Sequence, residues 1–209
     1  LYYIGKTYGY KGESHLKISN LLKIINNYPN SKYLQLAIKE IAESYLAEGQ
    51  LSKAKQYYTK IVTEYPNSLL VVDAKINIAD IYYKQGDYNR SESEYKAILV
   101  KHGGDSAVCE RATRGLIDIY KASSHPEKVE QIAAQYECAN FSHDEKEDLY
   151  YTPAIEAYNI KDYEKAIPLF NKYLTKFPNG RYSTEVKSYS ANSYYETGDV
   201  EKAVTLYRE

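Results

Sequence analysis

Tyr65-Pro66-Asn67-Ser68-Leu69-Leu70-Val71-Val72-Asp73-Ala74, carried on through Ala79, Tyr82 and Gly86-Asp87-Tyr88 to Tyr95, is the stretch that decides the fold. The rest of the chain can be laid over it as copies. A mid-unit break recurs at Gly12, Gly49, Gly86, Ser124, Lys161 and Gly198, at spacings of 37, 37, 38, 37 and 37. An end-of-unit turn recurs at Tyr28-Pro29, Tyr65-Pro66, His102-Gly103, Asn140-Phe141 and Phe177-Pro178 with the same single extra residue, placed in Lys101-His102-Gly103-Gly104-Asp105. Self-similarity at such a period is the signature of a stacked repeat rather than of one central core.

Between the markers the apolar residues recur at steps of three and four, the period of a helix. Leu34, Ala37, Ile38, Ile41, Ala42 and Tyr45 form one stripe, and Ala54, Tyr58, Ile61, Val62 and Tyr65 the next. Proline removes a helical hydrogen bond and pushes the preceding residue away from helical backbone angles, so each Tyr-Pro ends a second helix. Ser31 and Ser68 are placed to cap the helix that follows, which is expected to start near Ser31 in the second unit. Glycine at the mid-unit break permits the left-handed conformation that closes a first helix. Repeat four departs most, with Ser123-Ser124-His125-Pro126 at its break, Ala133 where an aromatic belongs and no proline at Asn140-Phe141-Ser142. Pro153, about ten residues into a helix starting near His143, predicts a kink or a restart, and Pro168 also falls inside a helical segment.

Ala42, Tyr45, Gly49, Ala54, Tyr58 and Pro66, repeated as Ala79, Tyr82, Gly86 and Tyr95 and again as Ala191, Tyr194, Gly198, Ala203 and Tyr207, resemble the tetratricopeptide repeat. A 37-residue period exceeds the usual ~34 and is similar to the variant of bacterial envelope proteins of the outer-membrane assembly lipoprotein and Tol-Pal coordinator type. The resemblance implies an all-α, right-handed α-α superhelix of about five and a half helix pairs. Its units fall at residues 1–30, 31–67, 68–105, 106–142, 143–179 and 180–209 of a single solenoid. The chain opens at Leu1 and stops at Glu209 in mid-pattern, so a piece of a longer protein is expected.

The 27 basic and 28 acidic side chains balance, which gives no basic excess for nucleic acid. No apolar run approaches the roughly 18 residues of a membrane span. His15, His102, His125 and His143 lie in turns or near helix starts without the paired spacing of a metal site. With no phosphate loop and no nucleophile elbow either, neither catalysis nor a cofactor is expected. The run Asp144-Glu145-Lys146-Glu147-Asp148 reads as a solvated helix N-terminus. Cys109 and Cys138 are placed symmetrically about the break at residues 123 and 124. Two readings stand for them, small buried packing residues or a disulfide of an oxidising compartment.

In the tetratricopeptide family the first helix of each pair lines a concave, partner-binding face. Carried over by register, that face holds Asp73, Ile76, Asp80 and Tyr83, then Arg111, Arg114, Asp118 and Lys121, then Tyr151, Tyr158 and Tyr195. Tyrosine there either recognises a partner or packs between repeats. The arginine pair could hold a carboxylate or fix a peptide's register. The resemblance thus implies a non-catalytic scaffold for a protein or peptide partner, periplasmic or outer-membrane-associated. The alternative is a passive architectural spacer or oligomerisation segment of a larger protein, and an enzyme stands third.

Overall fold

The computed structural model describes residues 1–139 and 141–208, and among them twelve α-helices and no strand. The expected end-of-unit turn at Asn140-Phe141 and the chain end at Glu209 each include a residue outside that set. The chain forms two compact units, residues 1–119 and 120–209.

The first unit contains α1 (Tyr2–Tyr10), α2 (Ser14–Asn27), α3 (Leu34–Ala47), α4 (Leu51–Glu64), α5 (Leu70–Lys84), α6 (Tyr88–His102) and most of α7 (Ser106–Ala122). Consecutive helices pack as hairpins, α1 on α2, α3 on α4 and α5 on α6, and α2 on α3 and α4 on α5 join one hairpin to the next. Ile38, Ala42, Ala54, Tyr58 and Ile61 are wholly buried at the centre of the α3/α4 hairpin. The alanines bring the helices close, and burial of each large apolar side chain contributes about 1.5–3 kcal/mol.

The second unit contains the end of α7, then α8 (Pro126–Gln135), α9 (His143–Asn159), α10 (Tyr163–Lys176), α11 (Ser183–Glu196) and α12 (Val200–Arg208). Here α9 packs on α10, α10 on α11 and α11 on α12. Tyr120, Tyr173 and Phe170 are its largest fully buried side chains.

All six predicted breaks have positive φ: 76°, 72°, 76° and 89° at Gly12, Gly49, Gly86 and Gly198, and 58° and 62° at Ser124 and Lys161. Each closes its helix with the same pair of backbone bonds. The Gly49 amide donates to the Leu46 carbonyl and the Gln50 amide to the Tyr45 carbonyl, and the pattern recurs in the second unit from Ser124 to Lys121 and His125 to Tyr120. The residue after the break then starts the next helix. Asp87, Asp162 and Asp199 each accept from the amide three residues on.

Three local expectations are revised. Ser31 and Ser68 accept from Tyr33 and Leu70 amides, but a turn intervenes and α3 begins at Leu34 rather than near Ser31. Pro153 is buried within α9, which runs unbroken from His143 to Asn159, so there is no restart. The acidic run is only partly solvated. Glu145 forms a capping box with Ser142, while Glu147 is 2% exposed.

Candidate partner-binding site

The inward column of α5 and that of α7 meet in the first unit. Ile76, Asp80 and Tyr83 from α5 and Arg111, Arg114 and Asp118 from α7 line one cavity of about 350 Å³. These side chains share a wall because four- and three-residue steps keep them on one helix face. Four residues that the register did not single out complete it, Tyr95 from α6 and Ala107, Glu110 and Gly115 from α7.

Gly115 sits against the Tyr95 ring. A Cβ added there would lie 2.2 Å from Tyr95 Cζ, so only glycine leaves room for the ring. The column that holds Glu40 and Asn77 in the two preceding repeats holds this glycine in the third, and that substitution is the signal the sequence carried. The buried Tyr95 hydroxyl passes through the hairpin and donates a short hydrogen bond to Asp80.

The charges around the cavity divide into satisfied pairs and a remainder. Asp73 accepts from Arg111 Nη1 at 2.7 Å and pairs with Lys39 Nζ at 3.4 Å, which links α3, α5 and α7. Burial opposes ionisation of Asp73, but the hydrogen bond from Arg111 and the charges of Lys39 and Arg111 outweigh it and hold its pKa below the ordinary carboxylate value. Arg114 Nη2 meets Glu110 Oε1 at 2.7 Å. For Asp80 burial dominates and, helped by Asp118, raises its pKa despite the Tyr95 hydrogen bond and the more distant Arg111 and Lys84. Among the described residues no ion pair forms at Asp80 or Asp118.

The remaining predicted residues lie in the second unit and are mostly occupied. Tyr151 stacks on Tyr182 at 3.9 Å between centroids, and burial together with the negative charge of Glu185 pushes its hydroxyl up to about 12. Tyr158 packs on Tyr189 at 4.5 Å and accepts from Asn192 Nδ2 at 2.7 Å. Tyr195 and Lys121 are exposed. Cys109 and Cys138 are both disulfide-bonded, the second of the two readings given for them; Cys109 is also buried, whereas Cys138 is half-buried.

A second polar cluster was hidden in the acidic run. Glu147 accepts from Tyr173 Oη and from the Arg181 amide, each at 2.7 Å, and pairs with Arg181 Nε at 3.4 Å. A Cβ on Gly180 would lie 1.8 Å from Glu147 Oε1, so the carboxylate occupies the space a side chain would take. One signal was available: Gly180 stands where Ser31 and Ser68 stand in earlier units. In the first unit Ser68 Oγ donates to Gln35 Oε1 at 2.6 Å, the corresponding contact.

Among the described residues no group of three or more His, Cys, Asp or Glu side chains could hold a metal, and no helix is long and apolar enough to cross a membrane.

Comparison with known proteins places these observations in a family. Two tetratricopeptide repeat family models match residues 45–108 and 1–31, and an outer membrane lipoprotein model, YfiO, matches residues 142–208. No curated protein matches in sequence. Among solved structures, a tetratricopeptide repeat protein from Parabacteroides merdae is similar with a TM-score of 0.57 and 15% identity, over 97% of this chain and 74% of that one. Pseudomonas aeruginosa PilF is similar with a TM-score of 0.51 and 14% identity, over 97% of this chain and 85% of its own. At these identities the two share a fold with the chain, an all-α solenoid of helix hairpins. The repeat matches, the six left-handed breaks and the stacked hairpins together make this chain a tetratricopeptide repeat protein with a YfiO-like repeat in its last third.

Proposed function

We propose that this protein is a non-catalytic scaffold that seats a peptide segment of a protein partner in the α5/α7 cavity. One observation carries the reading: six side chains placed on the inward face by register alone line a single cavity of about 350 Å³. That volume is of the order of a small ligand site, about 300 Å³ or more, and suits one or two side chains of a peptide. The match of residues 142–208 to an outer membrane lipoprotein family supports a role in a bacterial envelope assembly, periplasmic or outer-membrane-associated.

A phage-displayed random peptide library panned on the folded protein tests this reading. Enriched peptides are expected to bind the wild type and to weaken at least tenfold with Tyr83→Ala or Asp118→Ala at unchanged far-UV circular dichroism. Peptides that bind both variants as well as the wild type, or no enrichment at all, count against the cavity.

For the second unit a different reading has its own support. Tyr151 and Tyr158 are occupied by Tyr182, Tyr189 and Asn192, which suits an architectural spacer better than an open recognition surface.

A further inference from the structure

The cavity's charges say what it accepts. Asp73 and Glu110 hold Arg111 and Arg114 by ion pairs of 2.7 Å each. With those guanidiniums occupied, Asp80 and Asp118 remain, one from each wall, without an ion-pair partner among the described residues. Asp80 is fixed in place by Tyr95, whereas Asp118 is exposed. Beside them Tyr83 presents a ring that a cation can approach, and buried Ile76 offers apolar surface for an alkyl stem.

An anion would enter against two carboxylates that have no ion-pair partner among the described residues and would meet arginines whose charge Asp73 and Glu110 already offset. A purely apolar side chain would cover Asp80 and Asp118 without pairing them, at the cost of their desolvation. A cation on an alkyl stem meets every group on offer.

A second feature of the same face also lacks its complement. The hydroxyl of Tyr58, one repeat before Tyr95, is fully buried without a hydrogen-bond partner and lies in the field of Glu43, Asp73 and Asp80. Its counterpart carboxylate, Glu43, pairs with Lys39 instead.

We propose that the α5/α7 cavity is a pocket for a lysine or arginine side chain of the partner polypeptide, held between Asp80 and Asp118 against Tyr83. The proposal rests on the cavity being the partner site and names the chemistry of its ligand.

Nitrogen-15 amide shifts of the whole protein, titrated with four capped amino acids, test both together. The probes are the Nα-acetyl methylamides of arginine, lysine, norleucine and glutamate. Arginine and lysine are expected to shift amides of α5 and α7 around Asp80 and Asp118 saturably, and norleucine and glutamate to leave them unmoved. Asp118→Asn should weaken that binding about tenfold, since a hydrogen bond to a charged group is lost. Added salt should weaken it as well, because Asp118 faces solvent.

Shifts at the same amides from norleucine or glutamate equal to those from arginine overturn the basic-side-chain assignment and leave the cavity as the partner site. Arginine binding that is indifferent to Asp118→Asn and to Asp80→Asn overturns it too. Silence from all four probes removes the assignment and the cavity reading together.

Discussion

Replacing Gly115 by alanine tests the geometry on which the cavity depends. The new Cβ would stand 2.2, 2.5 and 2.6 Å from Cζ, Cε2 and the hydroxyl oxygen of Tyr95. Tyr95 is 1% exposed and tied to Asp80, so its ring can retreat only by giving up that hydrogen bond. Alanine in a helix interior gains about 1 kcal/mol over glycine. Against that, overpacking costs about 1–3 kcal/mol, and pulling the hydroxyl off a carboxylate removes a further ~1.5–3 kcal/mol. The expected net loss is about 1.5–5 kcal/mol, with the sign opposite to the helix-propensity rule. Urea denaturation followed by far-UV circular dichroism measures it. A double-mutant cycle isolates the cause: in a Tyr95→Leu background the clashing atoms are gone, and Gly115→Ala should become neutral or stabilising. A Gly115→Ala protein as stable as the wild type, or one equally damaged in the Tyr95→Leu background, would refute the assigned contact.

Other expectations follow from the breaks, the buried acid and the two aspartates. Ser124→Gly and Lys161→Gly, each relieving a side chain at positive φ, should stabilise by roughly 1 kcal/mol, and a fall in either urea midpoint contradicts that. Glu147→Ala leaves the Tyr173 hydroxyl and the Arg181 amide without their acceptor and should cost about 3–4 kcal/mol. Gly180→Ala should destabilise through the same carboxylate, and the two losses should not add; additive losses in thermal unfolding disprove the shared cause. On acidification Asp80 should protonate before Asp73, as read from side-chain carboxyl carbon-13 shifts. The signs differ. The depressed pKa of Asp73 gives stability that is present above its unfolded value and lost as pH falls through its folded one, whereas protonating Asp80 relieves the cost of its burial. Asp73 titrating first would contradict both.

The repeat period, the helix ends and the inward columns were legible because each depends on residues near in sequence. Gly49 or Gly86 announces a left-handed backbone by itself, and Ser124 and Lys161 were found by counting alone, though neither residue type suggests the conformation. The inward face of α5 and α7 followed from register, and six of its members do share a cavity. The floor did not follow, since nothing local says that Tyr95 reaches through the hairpin to Asp80, and Gly115 reads as an ordinary weak helix residue until that ring is beneath it. Glu147 was misread for the same reason. In the run from Asp144 to Asp148 it looks like its neighbours, and its burial is decided by Gly180 and Arg181, one repeat later.

The six left-handed breaks have a consequence for how such an array can change length. The extra residue near Gly103 and Gly104 lengthens one step from 37 to 38, yet Ser124 still adopts φ of 58° and the following breaks keep their phase. The insertion is taken up in the turn between α6 and α7, since Arg111, Arg114 and Asp118 still line the cavity. Insertions in the turn that precedes a unit should leave its inward residues inward, whereas one residue added within α5, between Ile76 and Asp80, would turn Asp80 about 100° from its place on the wall.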